Sequence, residues 1–222
     1  EIIRERKFEL SAIMSYEVGK NRFEAMGDTE ESADLIDYYC QQVEDHNGFT
    51  RPMVNLTPIE KNIETLRPYG VFTCIAPFNF PGMIPFWYLP YALAAGNTYI
   101  IKPSEKVPTT MQFIFKLIEQ VGFPKGVVNL VNGAKEVVDG ILEHPVIRAI
   151  TFVGSTKVAK YVYATAASHG KRVQAQGGAK NPVIVLPDAD METATRIVAD
   201  SAFGCAGQRC LAVSFAVTVG TA

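Results

Sequence analysis

The chain has 222 residues, 48% of them hydrophobic, so it can bury a sizeable core and is not a disordered segment. Lys+Arg 21 against Asp+Glu 23 gives a formal charge of −2, and without a basic block this argues against a nucleic-acid partner. The longest apolar run, 83–96, is shorter than the ~20 residues of a membrane span and is broken by Pro85 and Pro90, so no membrane partner is expected.

In chain order, residues 1–18 carry Ile3, Phe8, Leu10, Ile13 and Met14 at roughly helical spacing, and Gly19 is the stop. A second helix is expected over about 30–44, with Thr29 as N-cap and an apolar face of Leu35, Ile36, Tyr39, Cys40 and Val43. That pattern puts Cys40 in the core. From Asn47 to Pro68 prolines and polar residues predict a connection or an edge hairpin.

From Val71 the grammar is strand, helix, strand. Strands are expected at 71–76, 98–101, 127–131, 148–153 and 171–176, and helices at 82–95, from Pro108 to Gly122, at 135–143 and at 156–168. Alternation of this kind implies right-handed crossovers and a parallel sheet with helices on both faces. The fold class is α/β. A further strand at 182–186 and a helix at 191–203 capped by Asp190 follow, and the grammar shift places a domain boundary near 178.

The four cysteines, Cys40, Cys74, Cys205 and Cys210, form no CxxC pair, which points to free thiols, a reducing compartment and a cytoplasmic location. A metal at Cys205 and Cys210 needs further ligands, and His46, His144 and His169 are scattered, so none is expected. No secretory leader is recognisable at Glu1-Ile2-Ile3-Arg4. The chain opens inside a helical pattern and closes inside a strand pattern, as expected of a piece of something longer.

Cys210 stands in a Gly- and Ala-rich turn, directly after Arg209 and before an apolar run. A reactive thiol needs small neighbours for access, a cation that favours thiolate and a rigid element to aim it; a lone cysteine is otherwise a packing residue. Arg209 has three readings: it lowers the thiol pKa, binds a substrate carboxylate, or pairs with a surface acid. Cys205 reads as a small packing residue or as a redox partner of Cys210, and Trp87 as helix core rather than a substrate cage. The strand ends carry Asn79, Lys102, Glu105, Gly154 and Ser155, at the edge where ligands of parallel sheets bind. Singly, Asn79 braces a turn, Lys102 and Glu105 are loop charges, and Gly154-Ser155-Thr156 is an N-cap. Together they suit a dinucleotide, with pyrophosphate at the helix start after Gly154 and ribose held by Lys102 and Glu105. Neither GxGxxG after the first strand nor a Walker lysine is present.

Five blocks occur in the order and spacing of the aldehyde dehydrogenase superfamily, and the chain is similar to it over nearly its whole length. They are Pro77-Phe78-Asn79-Phe80-Pro81, Ile101-Lys102-Pro103-Ser104-Glu105, Phe152-Val153-Gly154-Ser155-Thr156, Gly177-Gly178-Ala179-Lys180-Asn181-Pro182 and Gly207-Gln208-Arg209-Cys210. The resemblance implies a modified Rossmann domain without GxGxxG over 1–178, and the first part of a second α/β catalytic domain over 179–222. It implies NAD as cofactor, a small aldehyde or semialdehyde as substrate, and a homodimer or homotetramer. It makes Cys210 the nucleophile and Asn79 the side-chain half of the oxyanion hole. Lys102 and Glu105 become adenosine-ribose contacts and Ser155 a pyrophosphate contact. Ile75, Phe78, Phe152, Gly154 and Val158 line the cofactor groove, and Arg209 and Gln176 face substrate.

Two departures accompany it. Gln176 stands where most of the superfamily has the glutamate that activates water against the thioacyl intermediate. In this the chain resembles the CoA-acylating methylmalonate-semialdehyde dehydrogenases, which implies CoA as co-substrate. Tyr16-Glu17-Val18-Gly19-Lys20-Asn21 looks more like the pyrroline-carboxylate and other semialdehyde dehydrogenases, which hydrolyse the intermediate. The superfamily's later nicotinamide-ribose glutamate and its final oligomerisation strand find no counterpart before Ala222, so these residues alone are expected to turn over no aldehyde. The competing expectation is a non-catalytic nucleotide-binding or assembly piece.

Overall fold

The computed structural model describes residues 1–222, which divide into two units, Glu1–Gln176 and Gly177–Ala222. The first unit begins with α1 (Ile2–Glu5), α2 (Lys7–Val18) and α3 (Arg22–Asp45). Gly19 ends α2 at φ 82, the left-handed geometry that glycine adopts without strain. Helix α3 starts well before the expected Glu30. Asn21 is its N-cap, with the side chain accepting from the Glu24 N–H, and Thr29 lies inside the helix. The apolar period misses these first turns because the face they bury is polar: Asp28, Thr29 and Ser32 are all buried. Cys40 is also a correction, being exposed rather than core. It borders a groove between α1, α3 and α5 (Leu89–Ala94) that no element closes, alongside Ile2, Ile36 and Leu93.

The polar stretch after α3 contains a small antiparallel pair, β1 (Thr50–Pro52) with β2 (Ile63–Thr65). The main sheet follows. Its strands are β3 (Val71–Ile75), β4 (Thr98–Lys102), β5 (Val128–Leu130), β6 (Ile147–Val153) and β7 (Arg172–Gln176). They lie in the order β5-β4-β3-β6-β7, all parallel, with β3 in the centre.

Side-chain alternation divides the core. Cys74, Tyr99 and Ile101 pack with α2, α3, α5 and α6 (Thr109–Val121) on one face. Ile75, Ile150 and Phe152 pack with α7 (Lys135–Glu143) and α8 (Thr156–Ser168) on the other. Such two-sided burial explains why the central strands β3, β4 and β6 read as near-continuous apolar runs, whereas β7, at the edge with Arg172 and Gln174 exposed, does not. The single helix expected over 82–95 is two, α4 (Met83–Phe86) and α5. Pro90 sits in the first turn of α5; lacking an N–H and clashing one turn back, it prevents α4 from continuing.

The second unit holds β8 (Asn181–Val185), α9 (Met191–Phe203) and β9 (Val213–Thr218), with β8 and β9 parallel. Asp190 caps α9 by accepting from the Thr193 N–H at 2.7 Å.

Candidate active site

The chain runs outward from β3 to β4 and β5, then returns to the other side of β3 for β6 and β7. This reversal opens a crevice beyond the carboxyl ends of β3 and its neighbours, where open α/β sheets take ligands. The register puts three expected cofactor residues in one row: Ile75 pairs with Lys102 on one side and with Phe152 on the other. Adjacent strands stand ~4.8 Å apart, so residues far apart in sequence become neighbours.

Within this row Ile75 and Phe152 are 4% and 5% exposed. The Lys102 ammonium is buried. It donates to the Gly133 carbonyl at 2.8 Å and faces the Glu105 carboxylate at 3.4 Å. A bond from its own backbone N–H, aided by the charges of Lys102 and Lys106, holds the Glu105 carboxyl below the usual carboxylate range. Glu105 itself is exposed and open to a ligand. Gly133 is a residue that sequence reasoning missed. Its φ is 153, and a Cβ there would meet Val137 Cγ2 at 2.2 Å; only glycine lets this carbonyl reach the lysine. A Gly in a strand-to-helix connection was the available signal.

Just past β6, Gly154 leaves room for the tip of the Phe152 ring, whose Cζ is 2.5 Å from where a Cβ would stand. The Gly154 N–H donates to the Gln176 carbonyl at 3.1 Å, so the ends of β6 and β7 are tied. Ser155 is the N-cap of α8 without using its side chain as the cap, and Val158 is exposed on the same first turn. Phe78, 37% exposed, carries the Lys106 ammonium 5.7 Å from its ring centre. Asn79 is half-buried on the loop from β3 to α4. Trp87 packs against Met83, Ile84 and Val153 as core. The remaining buried thiol, Cys74, has its pKa pushed up to about 12 by burial, which makes it inert.

In the second unit, Cys210 is half-buried in a turn closed by the Ala212 N–H donating to the Arg209 carbonyl at 3.0 Å. Asn181 pins this turn: its side-chain N–H₂ donates to the carbonyls of Cys210 at 2.6 Å and Ala212 at 3.0 Å. Sequence reasoning did not assign Asn181 this task, and only its block pairing with Gly207-Gln208-Arg209-Cys210 hinted at it. Arg209 is exposed. Cys205 and Ala206 hold φ of 51 and 52, a left-handed conformation that is unusual for residues with a Cβ. Strain of this kind concentrates at functional sites.

A profile described as the aldehyde dehydrogenase family matches residues 1–219. The chain belongs to the aldehyde dehydrogenase family. It is 42% identical over 221 residues to the malonate-semialdehyde dehydrogenase of Pseudomonas aeruginosa, covering 99% of this chain and 44% of that protein. It is 41% identical to the human mitochondrial methylmalonate-semialdehyde/malonate-semialdehyde dehydrogenase [acylating], covering 100% of this chain and 41% of that protein. A Sinorhizobium meliloti protein described as a methylmalonate-semialdehyde dehydrogenase, crystallised with NAD, superposes with a TM-score of 0.92 at 41% identity. It covers 99% of this chain and 44% of that one. The chain thus spans less than half the length of the curated relatives it matches. These matches run through the first fifty residues as well, where the sequence blocks pointed toward other semialdehyde dehydrogenases.

The aldehyde dehydrogenase chain's own residues fit a dinucleotide. A buried ammonium, an exposed carboxylate beside it and a glycine that makes room for the tip of an aromatic ring occupy one sheet edge, close to the start of α8.

Proposed function

We propose that this chain carries the cofactor-binding and thiol segments of an NAD-dependent semialdehyde dehydrogenase that releases its product to CoA. The observation that carries the reading is the row of Ile75, Lys102 and Phe152 at the carboxyl edge, with the Lys102 ammonium buried there beside Glu105. Lys102 and Glu105 hold the adenosine ribose, Ser155 meets the pyrophosphate, and Ile75, Phe78, Phe152, Gly154 and Val158 line the groove. Residues 1–176 form the cofactor domain and the remainder begins the catalytic domain.

The Cys210 thiolate attacks the aldehyde carbon, and the carbonyl oxygen becomes an alkoxide. Asn79 donates its amide N–H to that oxygen, a contribution worth ~10²–10³ in rate for a donor of this kind. NAD, when bound, supplies the acceptor for the hydride that leaves the same carbon as a thioester forms on Cys210. Arg209 receives the substrate's carboxylate in a bidentate fork. The names of the relatives support a malonate or methylmalonate semialdehyde as substrate.

Release depends on Gln176. Its amide positions a water but cannot take its proton, and general-base help is typically worth ~10²–10⁴-fold. The thiolate of CoA needs no such help. It attacks the thioester carbonyl, Cys210 leaves as thiolate, and an acyl-CoA departs. The complete enzyme, mixed with NAD and malonate semialdehyde, should give a burst of NADH and then slow turnover, and added CoA should restore rapid turnover. A steady-state rate and free-acid product indifferent to CoA would refute this.

A further inference from the structure

The loop that carries Asn79 is held from the opposite side by an ion pair that the reaction itself does not use. Lys20, in the connection between α2 and α3, and Asp28, on the second turn of α3, have side chains 0% exposed and 2.7 Å apart. The Lys20 ammonium sits 3.5 Å from the centre of the Phe80 ring, the residue directly after Asn79. The other oxygen of Asp28 accepts the Met83 N–H at 2.6 Å, at the first residue of α4. Between these two anchors stands Gly82. A Cβ there would lie 2.6 Å from Met14 Cε and 2.8 Å from Asp28 Oδ1, so only glycine lets the carboxylate come this close to the backbone.

Burying an ion pair is costly, and a well-packed apolar pair of the same volume is often as stable or more so. Burial raises the Asp28 carboxyl pKa while Lys20 and the Met83 N–H pull it down. We take the pair as charged, because a neutral acid would leave the buried ammonium without a counter-charge. The directional contacts explain its presence where stability does not. One charge grips a ring, the other grips a backbone N–H, and the two gripped residues bracket the turn that follows Asn79.

We propose that Lys20 and Asp28 are positioning residues that fix the Asn79 loop through Phe80 and Met83, so that the Asn79 amide meets the developing alkoxide. The proposal rests on the oxyanion role given to Asn79 above. Catalytic geometry is strict, since a misplacement near 1 Å can cost ~10²-fold.

The test is a double-mutant cycle on kcat in the complete enzyme. Asp28→Asn keeps an acceptor for the Met83 N–H but removes the charge. Lys20→Met/Asp28→Asn removes both charges, and Phe80→Leu spares the pair while removing the ring it grips. Thermal melts and NAD affinity check that each variant is folded. The expected result is a ~10–100-fold fall in kcat for the charge variants and a smaller fall for Phe80→Leu, with the KM for NAD within about twofold. Phe80→Tyr, which keeps the ring face, should restore kcat. In an Asn79→Ala background the same changes should cost less than about twofold, because the amide they aim is gone. Equal losses in both backgrounds, or an unchanged kcat, would overturn the clamp, and Phe80→Leu decides it if the charge variants do not fold. An Asn79→Ala enzyme with undiminished turnover would instead overturn the oxyanion role, and the clamp with it.

Discussion

Helix α6 lacks a capping side chain of its own, since its N-cap is Pro108. Glu17, near the end of α2, supplies the cap from the far side of the sequence. Its carboxylate accepts the Thr109 and Thr110 N–H groups and, at 2.7 Å, the Thr110 hydroxyl. Glu17→Ala removes all three bonds and leaves a buried Thr110 without them. A lost N-cap typically costs ~1 kcal/mol, and a carboxylate at a helix N-terminus adds ~0.3–1 kcal/mol through the dipole. With the hydroxyl bond also lost, the sum is about 2 kcal/mol. For a unit of this size each kcal/mol moves the midpoint by ~2–4 °C, so calorimetry of the intact protein should show a fall of about 4–8 °C. Hydrogen exchange should localise the damage, with the Thr109 and Thr110 amides losing protection while β6 keeps its own. Glu17→Gln should recover less than half, because its amide turns a donor toward a donor. An Ala variant with an unchanged midpoint and unchanged exchange at Thr109 and Thr110 would refute the long-range cap.

Asn181→Ala frees the carbonyls of Cys210 and Ala212, so kcat should fall ~10-fold or more with little change in NAD affinity, measured by steady-state kinetics and cofactor titration. An equal loss of NAD affinity would place Asn181's effect elsewhere. Glu105→Ser removes the carboxylate that should repel a 2′-phosphate, so the NAD over NADP preference should narrow; a wild-type preference for NADP would show that Glu105 points away. Iodoacetamide at neutral pH, read by peptide mass, should label exposed Cys40 readily and Cys74 not at all. The Cys74 pKa is raised from 9.0 to about 12 in the fold, so its contribution to stability is complete below pH 9 and is lost as pH rises toward 12. Cys74→Ala should flatten that alkaline decline.

The elements legible in the sequence were those whose burial is apolar on one side or both. Helices α7 and α8 begin and end where the apolar period places them, α9 starts at its Asp190 cap, and the central strands β3, β4 and β6 announce themselves as runs rich in apolar and β-branched residues. What stayed hidden was set by polar or distant partners. The first turns of α3 bury Asp28, Thr29 and Ser32, whose needs are met by Lys20 and by carbonyls one turn back. No apolar rhythm records such a face. Cys40 obeys the rhythm and is exposed all the same, because a repeat specifies a stripe and not whether a neighbour closes over it. The row formed by Ile75, Lys102 and Phe152 depends on strand register, which three short motifs cannot convey by themselves.

The central place of β3 sets an order of events for a chain made from its N-terminus. Strands β3, β4 and β5 can zip together as soon as they are synthesised, yet one edge of β3 must wait for β6. That open edge is Val71-Phe72-Thr73-Cys74-Ile75, an apolar and unprotected template for another nascent chain. Pairing across so long a loop is slow, since the entropy of closure is lost before the contacts form. Synthesis that stalls between β5 and β6 therefore exposes the protein at its most adhesive. Nascent chains from which β3 to β5 have emerged but β6 has not should need a chaperone that chains with β6 and β7 emerged do not.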